Sequence, residues 1–316
     1  MAAINACGGC GTACDSGGTC RSGSCDLPVT IATAQHDPWN IARDEGYVYW
    51  TSYAATNGKV SRAAREGAGA NPTQLATAQR GAWGIAVDAG DVFWTNSDDR
   101  DGTVMKLAAT GGGAIELAGG IDRPQAIALD ATNVYVASIG SGSVLRIPRD
   151  GGEKAVIATG LGTPEGLAVD ALRLVVTDSL GGRVLAVPLD GGEPVVLAEA
   201  QSGPSAVAID AEMAYFTTRG VGGEGGVAKV PLDASEPPTL LSSGFAPSGI
   251  ALDEANVYFS DEAIEPEQGI VASVPKTGGV VTIIAGNQDE PWSIAVDDST
   301  VYWTNVRGGT VLSTTK

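Results

Sequence analysis

The run Pro247-Ser248-Gly249-Ile250-Ala251-Leu252-Asp253 decides the reading of this chain, because its last four positions return six more times. They recur as Ile41-Ala42-Arg43-Asp44, Ile85-Ala86-Val87-Asp88, Ile127-Ala128-Leu129-Asp130, Leu167-Ala168-Val169-Asp170, Val207-Ala208-Ile209-Asp210 and Ile294-Ala295-Val296-Asp297. Successive aspartates stand 40 to 44 residues apart. Self-similarity at such a period marks stacked units, each of which buries its apolar surface only against its neighbours.

Working outward from that run, every unit reads as four short strands. The first is the Ile-Ala-Val-Asp segment, apolar as an inner strand should be. The second is aromatic and β-branched, as in Val48-Tyr49-Trp50-Thr51. The third alternates apolar and polar after a glycine, as in Gly142-Ser143-Val144-Leu145-Arg146-Ile147. The fourth is a run such as Val156-Ile157-Ala158. Pro148 to Gly152, Pro188 to Gly192 and Pro275 to Gly279 join the last two strands, with proline ending a strand and glycine supplying the turn. A strand-rich, Gly-punctuated repeat of about 40 residues predicts a β-propeller.

The two ends complete each other. The seventh unit stops after its third strand, Val311-Leu312-Ser313-Thr314, while an orphan strand, Val29-Thr30-Ile31-Ala32, precedes the first unit. The fold class is therefore all-β: a seven-bladed propeller of four-stranded blades, closed by an N-terminal strand that completes the last blade. Residues 27–316 form this propeller. Residues 1–26 form a short Cys/Gly-rich, disulfide-rich segment.

The second strands Tyr49-Trp50-Thr51, Phe93-Trp94-Thr95-Asn96, Tyr258-Phe259-Ser260-Asp261 and Tyr302-Trp303-Thr304-Asn305 resemble the YWTD repeat of lipoprotein-receptor propellers. Pro247 to Asp253 resembles NHL repeats. Both resemblances imply the propeller fold. Neither implies one activity, since propellers host many. YWTD rings have six blades, and this chain has seven units.

Composition narrows the partners. The chain has 316 residues, with 37 acidic against 19 basic side chains, for a formal net charge of −18. That argues against nucleic acid and anionic lipid, both of which call for clustered Lys and Arg. Nothing approaches the ~18 consecutive apolar residues of a membrane span, so no direct insertion is expected. The expected partners are a small-molecule, saccharide or peptide ligand, or another protein.

All five cysteines fall in one segment, Cys7, Cys10, Cys14, Cys20 and Cys25, among Gly, Ser and Thr. Such a stretch has little to bury, so disulfides rather than a core would hold it. The Cys7-x-x-Cys10 spacing also suits a metal knuckle, but the disulfide reading is preferred and no metal site is assigned. An odd number leaves one thiol, available for an intermolecular disulfide. No basic start and apolar run follows Met1, so the N-terminus reads as that of a mature or trimmed form. The segment resembles Cys/Gly modules that precede propellers in predicted surface proteins of myxobacteria. The resemblance implies an extracytoplasmic place: secreted, periplasmic or at the cell surface.

Ligands of propellers usually sit on the face that carries the fourth-to-first and second-to-third strand connections. Just before the first strands stand Trp39, Trp83, Gln125, Glu165 and Trp292, the expected binding residues. Trp50, Trp94 and Trp303 lie inside second strands and are expected in the core. Trp39, Trp83 and Trp292 occur in units one, two and seven, neighbours around a closed ring. They read either as an aromatic platform for a sugar, peptide or cation, or as a packing plug. His36, the only histidine, stands beside Asp37, and Glu290 occupies a matching place before Trp292. These three are the candidate acid–base residues of an enzymatic alternative. Asp98, Asp99 and Asp101, and separately Asp261, Glu262, Glu265 and Glu267, offer oxygen ligands of a kind that suits Ca²⁺. Neither loop follows a recognised calcium-loop spacing, so no cofactor is assigned and both read as charged, solubilising loops. The repeated aspartates read as turn-bonding scaffold.

The leading expectation is thus an exported, non-catalytic recognition module that binds on its top face. The alternative is an exported lyase or hydrolase using rim carboxylates and His36. The chain resembles streptogramin-lyase propellers in repeat length but lacks the two histidines expected of them.

Overall fold

The computed structural model describes residues 19–21, 24–65, 71–88, 90–98, 100–108, 112–220, 224–262 and 267–316. Its described part contains seven four-stranded antiparallel sheets and one two-stranded sheet, with no helix. Six sheets take their four strands in sequence order. The seventh combines Pro291–Val296, Thr300–Asn305 and Thr310–Thr315 with Val29–Ala32. Val29 and Thr30 pair with Ser313 and Leu312, so the first propeller strand closes the ring on the last blade as the sequence predicts. Closure removes an open edge that would otherwise template pairing with another chain.

The small sheet pairs Thr19–Arg21 with Ser24–Asp26 and sets Cys20 opposite Cys25 in backbone register. Cys7, Cys10 and Cys14 lie outside the described residues.

The core is distributed between blades. Seven clusters of buried side chains each straddle two adjacent blades. Tyr49 packs with Trp94, Tyr258 with Trp303, and Trp50 with Tyr302 across the closure. Trp50, Trp94 and Trp303 are fully buried, as expected of second-strand tryptophans. Each indole N–H donates to a glutamine at the end of a fourth strand or in its place: Gln35, Gln79 and Gln288. A buried indole N–H without such a partner would carry a desolvation cost.

The repeated aspartates are scaffold on the bottom face. Oδ1 of Asp253 accepts the amides of Ala255 and Asn256, and Oδ2 accepts the hydroxyl of Tyr258 at 2.7 Å. Asp44, Asp130, Asp210 and Asp297 do the same with Tyr49, Tyr135, Tyr215 and Tyr302. Cations from the next blade bolt four of the seven sites. Lys316 reaches Asp253, Lys276 reaches Asp210, Arg149 reaches Asp88 and Arg65 reaches Asp297. Lys276 and Lys316 also lie over the rings of Tyr215 and Tyr258.

Candidate functional site

The opposite face is built by the inner strands Pro38–Arg43, Ala82–Asp88, Pro124–Leu129, Pro164–Val169, Pro204–Ile209, Pro247–Leu252 and Pro291–Val296. Every one of them carries an extra residue near its start relative to its partner strand. Pro38 faces Ser52, but Ile41 already faces Trp50. The same shift occurs in the other six. A bulge bends a strand and re-aims its side chains. Here it sits at the ring position of Trp39, Trp83, Gln125, Glu165, Ser205, Ser248 and Trp292.

Buried hydroxyls lock that position. Thr304 accepts the amide of Ser293 and donates to the carbonyl of Trp39 in the next blade. Thr51 links Asn40 to Trp83 and Ser260 links Gly249 to Trp292 in the same way. Gly84 and Gly249 stand where the neighbouring carbonyls of Gln125 and Trp292 come too close for a Cβ. The mouth is therefore held by bonds between blades.

The mouth encloses a cavity of about 250 Å³. Trp83 and Trp292 line one side, with Gln125, Glu165, Ser205, Ser248 and Arg219 on the rest. Ile41, Ile85, Ile127, Leu167, Val207, Ile250 and Ile294 bound it further along the inner strands. Trp39 is packed between the other two tryptophans. Its ring stacks on Trp83 with centroids 4.5 Å apart and meets Trp292 edge-on at 4.4 Å. Tyr53 touches both Trp39 and Trp83 edge-on. Trp39 Nε1 is buried without a hydrogen-bond partner among the described residues. Trp39 thus does the packing, while Trp83 and Trp292 face the cavity.

Across the ring, Glu165 bonds Arg219, with Nη1 3.0 Å from Oε1 and 2.8 Å from Oε2. Arg219 follows a second strand in the next blade. Its spacing marks it as a rim residue, but nothing in its local sequence shows that it pairs with Glu165. Glu262 belongs to the same charged group. Burial pushes its carboxyl above the ordinary glutamate range. Glu290 and Asp261 add to that rise, while Arg219 and Arg307 oppose it.

The other candidates lie away from the cavity wall. The His36 side chain is 77% exposed, with Nδ1 3.3 Å from Asp37 Oδ2 and 3.3 Å from the Tyr53 carbonyl. Glu290 and Asp289 pair with Arg307 at 3.3 and 3.5 Å. Asp37 and Glu290 also take left-handed backbone at the entry to their strands, where Arg123 and Gly203 stand in other blades. Asp99 and Glu265 lie outside the described residues. Among the described residues no group of three or more His, Cys, Asp or Glu is placed to hold a metal ion.

The hydroxyl relays escape sequence reasoning. Their signal is a Thr or Ser directly after a buried second-strand residue, which is aromatic before 51, 95, 217, 260 and 304 and valine before 177.

No family model matches the sequence, and no curated protein does. Solved structures resemble the fold closely. The structure of a streptogramin B lyase matches with a TM-score of 0.74 at 13% identity, covering 92% of this chain and 97% of that one. Virginiamycin B lyase from Staphylococcus aureus matches with a TM-score of 0.75 at 14% identity, covering 92% and 98%. A nidogen/laminin complex matches with a TM-score of 0.57 at 17% identity, covering 71% and 88%. At these identities the likeness is one of fold. It also corrects the leading expectation of a non-catalytic recognition module. Both lyases match over 92% of this chain, and their being enzymes runs against that expectation.

Proposed function

We propose that the chain is a propeller enzyme of the lyase type, acting on a small molecule bound at the mouth. One observation supports this above the others: the cavity sets two tryptophans against an Arg219–Glu165 pair, and Arg219 lies within electrostatic reach of Glu262, whose carboxyl burial raises. Elimination needs a base for a proton on carbon, positive charge where an adjacent carbonyl becomes an enolate, and a proton for the leaving group. Glu165 takes the proton, Arg219 holds the enolate oxygen, and Glu262 protonates the leaving group. A carboxyl pushed upward by burial is suited to that last role near neutral pH. Trp83 and Trp292 hold the body of the substrate. This division of labour uses no imidazole, so the rim position of His36 is no obstacle.

An extracytoplasmic place belongs to the same proposal. It rests on five cysteines crowded into a segment with little else to hold it.

The test is product analysis. The full chain is incubated with quinupristin, the compound present in a solved structure of an inactive virginiamycin B lyase, and with a panel of esters and oligosaccharides that carry a proton next to a carbonyl. Elimination yields products whose summed mass equals that of the substrate, and hydrolysis adds one water. Turnover without water uptake, lost in Arg219→Met and Glu165→Gln, is the expected result. Uptake of water makes the chain a hydrolase, and no turnover of any panel member sinks the enzyme reading.

A further inference from the structure

The lining of the mouth points to a class of substrate, on the premise that the site eliminates. Among the described residues that line it, the only charged side chains are Glu165 and Arg219, and they are paired with each other. The cavity wall therefore carries no net charge to greet an ion. Outside it, the carboxylates of Asp289 and Glu290 outnumber the one cation they share, Arg307, so the rim beside Trp292 disfavours a free carboxylate approaching from solvent.

The uncharged polar groups are of one kind. Asn40, Gln125 and Ser248 each carry both a donor and an acceptor, while the hydroxyls of Ser205 and Ser293 already bond Thr217 Oγ1 and the Ile41 amide and keep part of that capacity. Ser248 Oγ is buried and meets no hydrogen-bond partner among the described residues. Buried hydroxyls are normally satisfied, so an unsatisfied one on a residue of the cavity lining leaves hydrogen-bonding capacity beside the site. Indole faces on one side and donor–acceptor groups on the other match a sugar, whose C–H face is apolar and whose edge is all hydroxyl. At about 250 Å³ the cavity lies at the small end of ligand pockets, with room for one ring while a chain continues over the rim.

Elimination then narrows the sugar. It needs a C–H bond next to a carbonyl, which in a saccharide is C5–H of a uronyl residue. The absence of net charge on the described wall, the carboxylates of the rim and the aliphatic side chains further along the cavity all favour the uncharged ester over the free acid. We propose that the substrate is a saccharide with an esterified uronyl residue, its ring against Trp83 and Trp292 and its ester carbonyl on Arg219. Glu165 removes the C5 proton, and the electron pair forms the C4–C5 double bond as the C4–O bond breaks. The departing oxygen takes its proton from Glu262. Nothing is oxidised or reduced, and no water is consumed.

The experiment compares a methyl-esterified oligogalacturonide with its saponified twin on the full chain. Binding is read by calorimetry and cleavage by the absorbance and mass of the unsaturated product. The esterified oligomer should be cleaved, and the saponified one should react at least about tenfold more slowly. Trp83→Ala with Trp292→Ala should raise KM about tenfold or more with the β-sheet circular dichroism unchanged. Asp88→Asn on the bottom face should leave both constants as they are. If neither oligomer binds, the saccharide assignment is overturned, and turnover of another panel member would still leave the lyase reading standing. If both bind and neither is cleaved, elimination is overturned while sugar recognition stands. If the saponified oligomer is preferred, the ester is wrong.

Discussion

The indole of Trp39 lies flat on that of Trp83, 22° from parallel, although the two residues belong to different blades and are 44 positions apart. Thr51, within the blade of Trp39, holds the carbonyl of Trp83, and Thr304 holds that of Trp39. Stack and hydroxyl relays together make three blades one rigid wall. Trp39 and Trp83 therefore differ in kind, one packing and one facing the cavity.

Trp39→Ala should cost about 2 kcal/mol or more of folding stability, because it empties a space bounded by three aromatic rings. Trp83→Ala should cost less and weaken ligand binding more. Urea unfolding and substrate titration of both variants test this. Equal stability losses with equal binding losses would defeat the distinction.

Arg219→Met should lower turnover about 10² to 10³-fold, the scale of a lost charge-stabilising donor, while leaving the unfolding midpoint nearly in place. The Glu165–Arg219 pair is partly solvated, so its stability contribution is small. A large fall in midpoint would instead mark the pair as structural.

Glu262 must be protonated to act as the acid. Its carboxyl is raised first by burial, so activity should be present below its folded pKa and fall as pH rises through it. Glu262→Gln should lower turnover and abolish that alkaline limb. A pH–rate profile of both proteins gives the answer, and an unchanged limb in the variant would remove Glu262 from the mechanism.

Acid stability follows from the bottom face. Burial alone would raise the Asp130 carboxyl. The Tyr135 hydroxyl and the amides of Thr132 and Asn133 outweigh it and hold the group down at about 2, against an ordinary 3.8. A depressed folded pKa gives stability that is present above the unfolded value and lost as pH falls toward the folded one. Asp44, Asp210 and Asp297 are shifted in the same direction. The urea midpoint should therefore drop between about pH 4 and pH 2. Asp130→Asn should make that drop shallower. A midpoint flat down to pH 2 would contradict the argument.

Ring closure gives the last prediction. Ile31 is 1% exposed within the cluster that joins the last blade to the first. Ile31→Ala should cost about 2–4 kcal/mol. Hydrogen exchange should speed first in Thr310–Thr315, its pairing partner. Uniform acceleration around the ring would show that closure is not a local unit.

The repeats alone carried the blade count, the strand order, the closing strand and the turn role of the aspartates. Each of these depends on residues within about forty positions, or on a copy-number argument, and Ile250-Ala251-Leu252-Asp253 and its copies hold that information locally. Only the packing of neighbouring blades brought Glu165 to Arg219, 54 positions away, and separated Trp39 from Trp83 and Trp292 in role. Period and pattern say which face a residue occupies. They do not say how far a bulge turns its side chain or which neighbour across the axis it meets. Those outcomes depend on contacts between blades, which exist only once neighbouring blades have packed together.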